Sequence, residues 1–159
     1  MLSERAGAEQ AANGVPVAIV RLPQVHDPVK QGLLTPLIQI AREKRVWAYI
    51  GDGANRLSAA HVSDVARLYR LALEHHQPGA RYHAVAEEGI PALQIAEAIA
   101  NRLAIPTASL TPEAATAHFG WMAAFAGLDL PASSSWTRHH LAWHPTGPGL
   151  IADLESMQQ

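Results

Sequence analysis

The sequence predicts an α/β chain with parallel strand pairing, and three observations carry that expectation. Stretches with apolar residues at helical spacing alternate with short β-branched runs through most of the 159 residues, the order that strand-helix-strand units produce. One of those runs, VPVAIV at 15–20, is almost continuously apolar, as in a strand covered on both faces of a parallel sheet. Turn formers mark the breaks: Pro23, Pro28 and Gly32, then Gly51 and Gly53, then Pro78 and Gly79.

Taken in order, Ser3 is placed to cap a first helix that runs to 13, with Glu4 in its first turn and Gly14 just past its end. The strand at 15–20 follows, and RLPQVHDPVKQG reads as a proline-punctuated loop. Residues 33–44 carry Leu34, Leu37, Ile38 and Ala41 on one helical face and finish with mostly basic charge. VWAYI at 46–50 is a second strand, stopped by Gly51-Asp52-Gly53. GDGANRLSAAHVSDV then reads as a strand end and turn leading into a capped helix. From Ser63 that helix shows Val65, Leu68, Tyr69, Ala72 and Leu73 as one stripe that ends before Pro78. RYHAVA at 81–86 is a third strand. Residues 91–103 form a strongly amphipathic helix through Leu93, Ile95, Ala96, Ile99 and Leu103, and TASL at 107–110 is a fourth strand. Thr111-Pro112 supplies a cap and a first-turn proline for the next helix. Beyond Gly120 the pattern weakens into short helical pieces, with serine caps in SSSWTRHHLAW and a short apolar turn at the end of PTGPGLIADLE. No repeat or low-complexity tract divides the chain, so 1–159 reads as a single domain.

Composition narrows the function classes. Hydrophobic residues make up 48% and charged residues 16%, which favours a folded core over disorder. A net charge of −2 gives no basic field for a phosphate backbone, so nucleic acid is not expected as a partner. The absence of cysteine excludes disulfides, a thiolate nucleophile and cysteine-based zinc sites, and it fits a reducing cytosol. The apolar stretches are too short to span a membrane, and MLSERAGAEQ lacks the features of a secretory signal. A cytoplasmic chain without a membrane partner is the expectation.

Several kinds of chemistry are missing from the pattern. A dinucleotide-binding turn needs G-x-G-x-x-G so that bare backbone can approach the phosphates. Here Gly51 and Gly53 are followed by Arg56 where the third glycine should stand, and Gly147 and Gly149 by Ala152. There is no G-K-[ST], no G-x-S-x-G and no H-E-x-x-H. Of the nine histidines, His75-His76 and His139-His140 are adjacent pairs whose side chains diverge by about 100° on a helix, so no metal site is expected. Ser133, Ser134 and Ser135 read as helix caps, and no catalytic residue is assigned. Trp47 and Trp143 read as packing. Trp121, in the apolar segment HFGWMAAFAGL, is a candidate to line a pocket or an interface.

Four stretches carry a resemblance. GDGANRLSAAHVSDVARLYRLAL is similar to the segment that commonly reads G-D-G-x-x-x-R-D-F-V-H-V-D-D-V-A in extended or atypical short-chain dehydrogenase/reductases, the NAD-dependent epimerase/dehydratase family. VPVAIVRLPQVHDP resembles that family's strand ending in R-x-x-N-V-Y-G-P. GARYHAVAEEGIPALQIAEAIANRL resembles its next strand and helix, and LAWHPTGPGLIADL its closing L-G-W-x-P segment. The order and spacing of these stretches imply the C-terminal, substrate-side half of a Rossmann-like fold, with short parallel strands and flanking helices and without the N-terminal dinucleotide-binding half. The family's Tyr-x-x-x-Lys pair is absent, since Tyr49, Tyr69 and Tyr82 are followed at the fourth position by Gly53, Leu73 and Ala86. The missing half would then belong to the same gene product or come from another chain.

The resemblance implies NAD or NADP as cofactor of an intact relative, with none held tightly by this chain alone. It places Leu22 and Pro23 against the cofactor, and Gln24 and His26 against a small-molecule substrate. The same loop also reads as a plain proline-stiffened turn. Asn55, Arg56 and His61 are implied as further substrate contacts. His61 stands in the family's register, whereas Arg56 lies one position early, which puts a nucleotide-sugar substrate in question. Asp64 suits the positive end of the following helix whatever the function. Two readings stay open: a substrate-binding portion of an NAD(P)-dependent oxidoreductase or epimerase-like enzyme, inactive alone, and a non-catalytic binding or dimerisation module of the same fold. In either, the apolar run at 15–20 is expected to lie exposed. It would drive homo-oligomer formation or take a complementary N-terminal half.

Overall fold

The computed structural model describes residues 2–75 and 77–158. The chain opens with α1 (Leu2–Ala12), β1 (Ile19–Arg21), β2 (Gln24–His26), α2 (Leu34–Lys44), β3 (Trp47–Ile50), β4 (Arg56–His61) and α3 (Val62–Glu74). It continues with β5 (Arg81–His83), β6 (Glu87–Pro91), α4 (Ala92–Leu103), β7 (Thr107–Leu110), α5 (Pro112–Phe119), a 3-10 turn at Gly120–Met122, α6 (Ala123–Ala126), α7 (Ser135–Leu141) and α8 (Leu150–Ser156). The α/β alternation predicted from sequence is present. The strands form three small sheets: β1 beside β5, β2-β4-β6 with β4 central, and β3 beside β7. Every pair is parallel except β4–β6, which is antiparallel with an irregularity between Leu57 and Ala59.

The two halves of the run at 15–20 behave differently. Pro16 has no N–H to give a ladder, and pairing begins only at Ile19, opposite Arg81. The expected strand is therefore short, and it is not covered on both faces: Val15 is 46% exposed. β2, β4 and β6 were not expected as strands. Residues read as loop instead pair in register, Gln24 opposite Ala59 and His26 opposite His61.

Helix ends follow local chemistry. The Thr111 hydroxyl accepts the Ala114 N–H at 3.3 Å and Pro112 opens α5, as the sequence predicts. α1 starts ahead of Ser3, so Ser3 lies within the helix rather than at its cap. α3 is capped by the His61 side chain, which accepts the Ser63 N–H, and not by Ser63.

One core lies between α2, α4 and α8, built on Ile38, Ile95, Ile99, Leu150 and Leu154. A second packs α3 and α7 on β5 through Leu68, Tyr82, Leu141 and Trp143. A smaller third joins β3 to α5 through Ala48, Ala115 and Phe119. Trp47 and Trp143 are buried, as the packing reading requires. Among the described residues no helix is long and apolar enough to cross a membrane.

Candidate functional site

The residues singled out from sequence fall into three places rather than one. In the first, β2 delivers Gln24 and His26 into the interior. Gln24 is 2% exposed, and its carboxamide is fully engaged: Nε2 donates to the carbonyls of Gln31 and Val25, and Oε1 accepts the Leu33 N–H at 3.1 Å. The amide staples the 24–33 loop to itself. Beside it, Asp27 accepts the N–H groups of Lys30 at 2.6 Å and Val29 at 2.7 Å. Those two bonds hold its carboxyl below the ordinary carboxylate range, the Lys30 bond most. Leu22 is 52% exposed and Pro23 half-buried, so this edge of the loop presents an apolar surface to solvent.

His26 is 1% exposed. Its Nδ1 lies 2.7 Å from Asp153 Oδ2 on α8, and its Nε2 has no hydrogen-bond partner, with Glu87 Oε2 4.0 Å away. The His61 ring meets it edge-on, centroids 5.8 Å apart, and His61 Nε2 is 3.8 Å from the same Asp153 oxygen. The structure thus brings His26 and His61 together with Asp153 and Glu87. The sequence reading missed both acids, and a separation of 127 residues between His26 and Asp153 leaves no local signal to find them by. A histidine oriented by a carboxylate can move a proton, but His26 is sealed from any ligand, so the arrangement ties β2 to α8. Among the described residues no group of three or more His, Asp or Glu is arranged to hold a metal ion; His76, of the pair His75-His76, lies outside the described residues.

In the second place, at the start of β4, Arg56 is not free for a phosphate. Its backbone N–H, Nε and Nη2 all engage Asp129, with Nη2 2.8 Å from Oδ2 and Nε 3.0 Å from Oδ1. The guanidinium holds the Asp129 carboxyl below its ordinary range. Asn55 reaches the opposite side of the same segment, donating from Nδ2 to the carbonyls of Ala126 and Leu128, each at 3.3 Å. Behind Asn55 lies an apolar cavity of about 110 Å³, lined among others by Leu37, Tyr49, Leu57, Met122 and Phe125. The third place is Trp121, 74% exposed and edge-on to Phe125. It lies in a separate surface groove with Ile50 and Thr116 and does not join Asn55 and Arg56.

Asp64 takes the structural role. It is 1% exposed, pairs with Arg67 and accepts the N–H groups of Thr146 and Gly147, both at 2.9 Å. Its carbonyl accepts the Trp143 indole N–H at 3.0 Å, so one residue pins the 143–147 segment to α3.

Comparison with known proteins places this geometry. The sequence pattern of the NAD dependent epimerase/dehydratase family matches residues 2–86, more than half of the chain. The chain belongs to the NAD-dependent epimerase/dehydratase family. An uncharacterized protein of Schizosaccharomyces pombe is 46% identical over 147 residues, covering 92% of this chain and 50% of its own length. The chain spans about half the length of the curated relatives it matches. Among solved structures, a dTDP-glucose 4,6-dehydratase from Streptomyces venezuelae with NAD and TYD bound superimposes with a TM-score of 0.67 at 17% identity, over 94% of this chain and 45% of that one. A UDP-glucuronic acid 4-epimerase from Bacillus cereus in complex with UDP-glucuronic acid and NAD gives 0.66 at 19% identity, over 96% and 48%.

These comparisons correct the expected placement in the family fold. The chain was expected to be the C-terminal part of the Rossmann-like fold, lacking the N-terminal dinucleotide-binding half. The family pattern instead matches from residue 2 to residue 86, and the structural matches fall in the N-terminal half of the dehydratases and epimerases. The two halves of a doubly wound sheet repeat the same strand-helix unit, so helix-strand order and short motifs taken one by one do not fix which half a segment comes from.

The described residues do not fit a dinucleotide's pyrophosphate. The glycine pair nearest a helix start, Gly147 and Gly149, is packed against this chain's own acids. A Cβ on Gly147 would lie 2.7 Å from Asp64 Oδ2, and one on Gly149 3.0 Å from Glu87 Oε1. Glu87 Oε2 already accepts the Leu150 N–H at 2.8 Å at the start of α8. Carboxylates line the close approach that a phosphate would need, and like charge opposes it.

Proposed function

We propose that this chain is a portion of an NAD(P)-dependent oxidoreductase or epimerase-like enzyme that acts on a small molecule, and that the chain alone does not hold the dinucleotide tightly. Membership of the NAD-dependent epimerase/dehydratase family carries the reading. Supporting it, Asn55 and Leu57 close one wall of a cavity, while the carboxylate-lined glycines oppose a pyrophosphate. On this reading the isolated chain does no hydride transfer, and NAD and NADP both bind it weakly.

The test has two arms. Calorimetric titration of the 159-residue chain with NAD⁺, NADH, NADP⁺ and NADPH is expected to give weak or undetectable heats, and low-micromolar binding would overturn the expectation that the chain alone holds the dinucleotide weakly. The chain co-expressed with the remaining length of its curated relatives is expected to oxidise NAD(P)H against a panel of small carbonyl compounds. No turnover by the completed protein would refute the oxidoreductase reading.

One observation favours a second reading, a binding or dimerisation module. β1 pairs with β5 on one side only, and the groove beside it is lined by residues 16–20 together with Tyr69 and Leu73.

A further inference from the structure

We propose that the cavity behind Asn55 is a binding site for an uncharged, ring-sized apolar group, and that the substrate presents such a group rather than a nucleoside diphosphate. The word substrate rests on the reading above; the cavity's preference does not. About 110 Å³ of space opens between α2, β3, the first turn of α4 and the α5–α6 segment. It is of the same order as the roughly 150 Å³ apolar cavity that stays dry and binds benzene in another protein, and far too small for a helix of a partner.

The lining is apolar but for Asn55 and the Tyr49 side chain. At its mouth, Leu33 is 67% exposed, Phe125 54%, Leu130 45% and Leu128 44%. A rim of exposed apolar side chains around an apolar hole marks a ligand site better than scattered surface leucines do. No cationic residue lines the cavity, and the nearby Arg56 is committed to Asp129 through two side-chain bonds. A pyrophosphate entering here would meet no free positive charge.

Asn55 gives the site its direction. Both Nδ2 bonds go to carbonyls of the 126–128 segment, and among the described residues nothing donates to its Oδ1. A ring bearing one hydroxyl or N–H group can therefore reach an acceptor at the cavity wall without displacing a bond the chain already makes.

Met122 is buried against this cavity, whereas Met157 is buried in the α2–α4–α8 core, so the two methyl groups report on different places. The chain labelled at its methionine methyls is titrated with toluene, benzoate and dTDP, with the Met122 signal assigned by Met122→Leu. Toluene is expected to shift Met122 saturably in the millimolar range or below and to leave Met157 in place, with benzoate and dTDP at least tenfold weaker. Ala126→Leu, which adds bulk from the rim, is expected to weaken toluene at least tenfold while Met157 keeps its native shift. A Met122 signal that toluene does not move up to its solubility overturns the proposal, as does tighter binding of benzoate or dTDP. Neither result bears on the cofactor titrations, so failure here is distinct from failure of the proposed function.

Discussion

At the scale of single residues, the structure separates two kinds of side-chain pair. The His26–Asp153 contact, a hydrogen bond rather than an assigned ion pair, is buried, with side-chain exposures of 0% and 3%, and links the ends of the chain through β2 and α8. Asp153→Ala removes the acceptor and leaves a second ring nitrogen without a partner, so unfolding free energy is expected to fall by about 3 kcal/mol, read by urea denaturation. A loss below about 1 kcal/mol would mean that the histidine is satisfied by water instead. The Arg56–Asp129 pair is exposed, and its signature is a pH dependence. Arg56 lowers the folded pKa of Asp129 from its ordinary value of 3.8, so the pair's contribution is complete above that value and is lost as pH falls through the lower folded one. The difference in melting temperature between the native chain and Asp129→Asn is therefore expected to be constant above about pH 5 and to shrink toward zero in more acidic solution. A difference that grew on acidification would refute the assignment.

At the scale of elements, the turn between β3 and β4 shows what the two glycines of Gly51-Asp52-Gly53 are for. Both have positive φ, 61° and 69°, but only Gly53 is crowded: a Cβ there would lie 2.9 Å from Leu93 Cβ and 3.1 Å from Leu93 N, while one on Gly51 would meet nothing within 4 Å. Gly51→Ala is expected to cost about 1 kcal/mol for the left-handed backbone alone. Gly53→Ala should cost roughly 2–4 kcal/mol once the clash is added. Equal losses in a denaturation series would deny the close approach of α4. The same turn shows what sequence can and cannot reveal. Helices with long amphipathic stripes, α3 and α4, stand where their periodicity puts them. β2, β4 and β6 escaped because QVH sits between prolines, RLSAAH is alanine-rich without clean alternation, and EEGIP holds both a glycine and a proline, all weak strand formers. Only pairing with each other makes them strands, and that is a tertiary fact. The site was legible in part for the same reason: the family resemblance pointed to Asn55 and Arg56, but Asp129, 73 residues away, engages the Arg56 guanidinium and was not legible. Gln24 and His26 were found as residues, but their partners at Gln31, Leu33 and Asp153 come from the folded chain and were not legible.

At the scale of the whole molecule, the surface around β1 decides whether the chain stands alone. Among the described residues β1 has a neighbour on one side only, and an unpaired strand edge offers backbone groups to any compatible segment. Next to it, residues 16–20, α1 and the outer face of α3 enclose a groove of about 620 Å³. Tyr69 is 43% and Leu73 80% exposed on its α3 wall. Two groups that would ordinarily be covered therefore face solvent together, a sheet edge and an apolar helix face, and self-association through them is the expected outcome. Sedimentation velocity over rising concentration is expected to show reversible self-association. Leu73→Glu, which alters a side chain outside the buried core, should weaken it several-fold with the melting temperature unchanged. A native chain that stays monomeric at high concentration would refute self-association and show that the edge is protected by its own shortness, Ile19–Arg21 being its paired stretch.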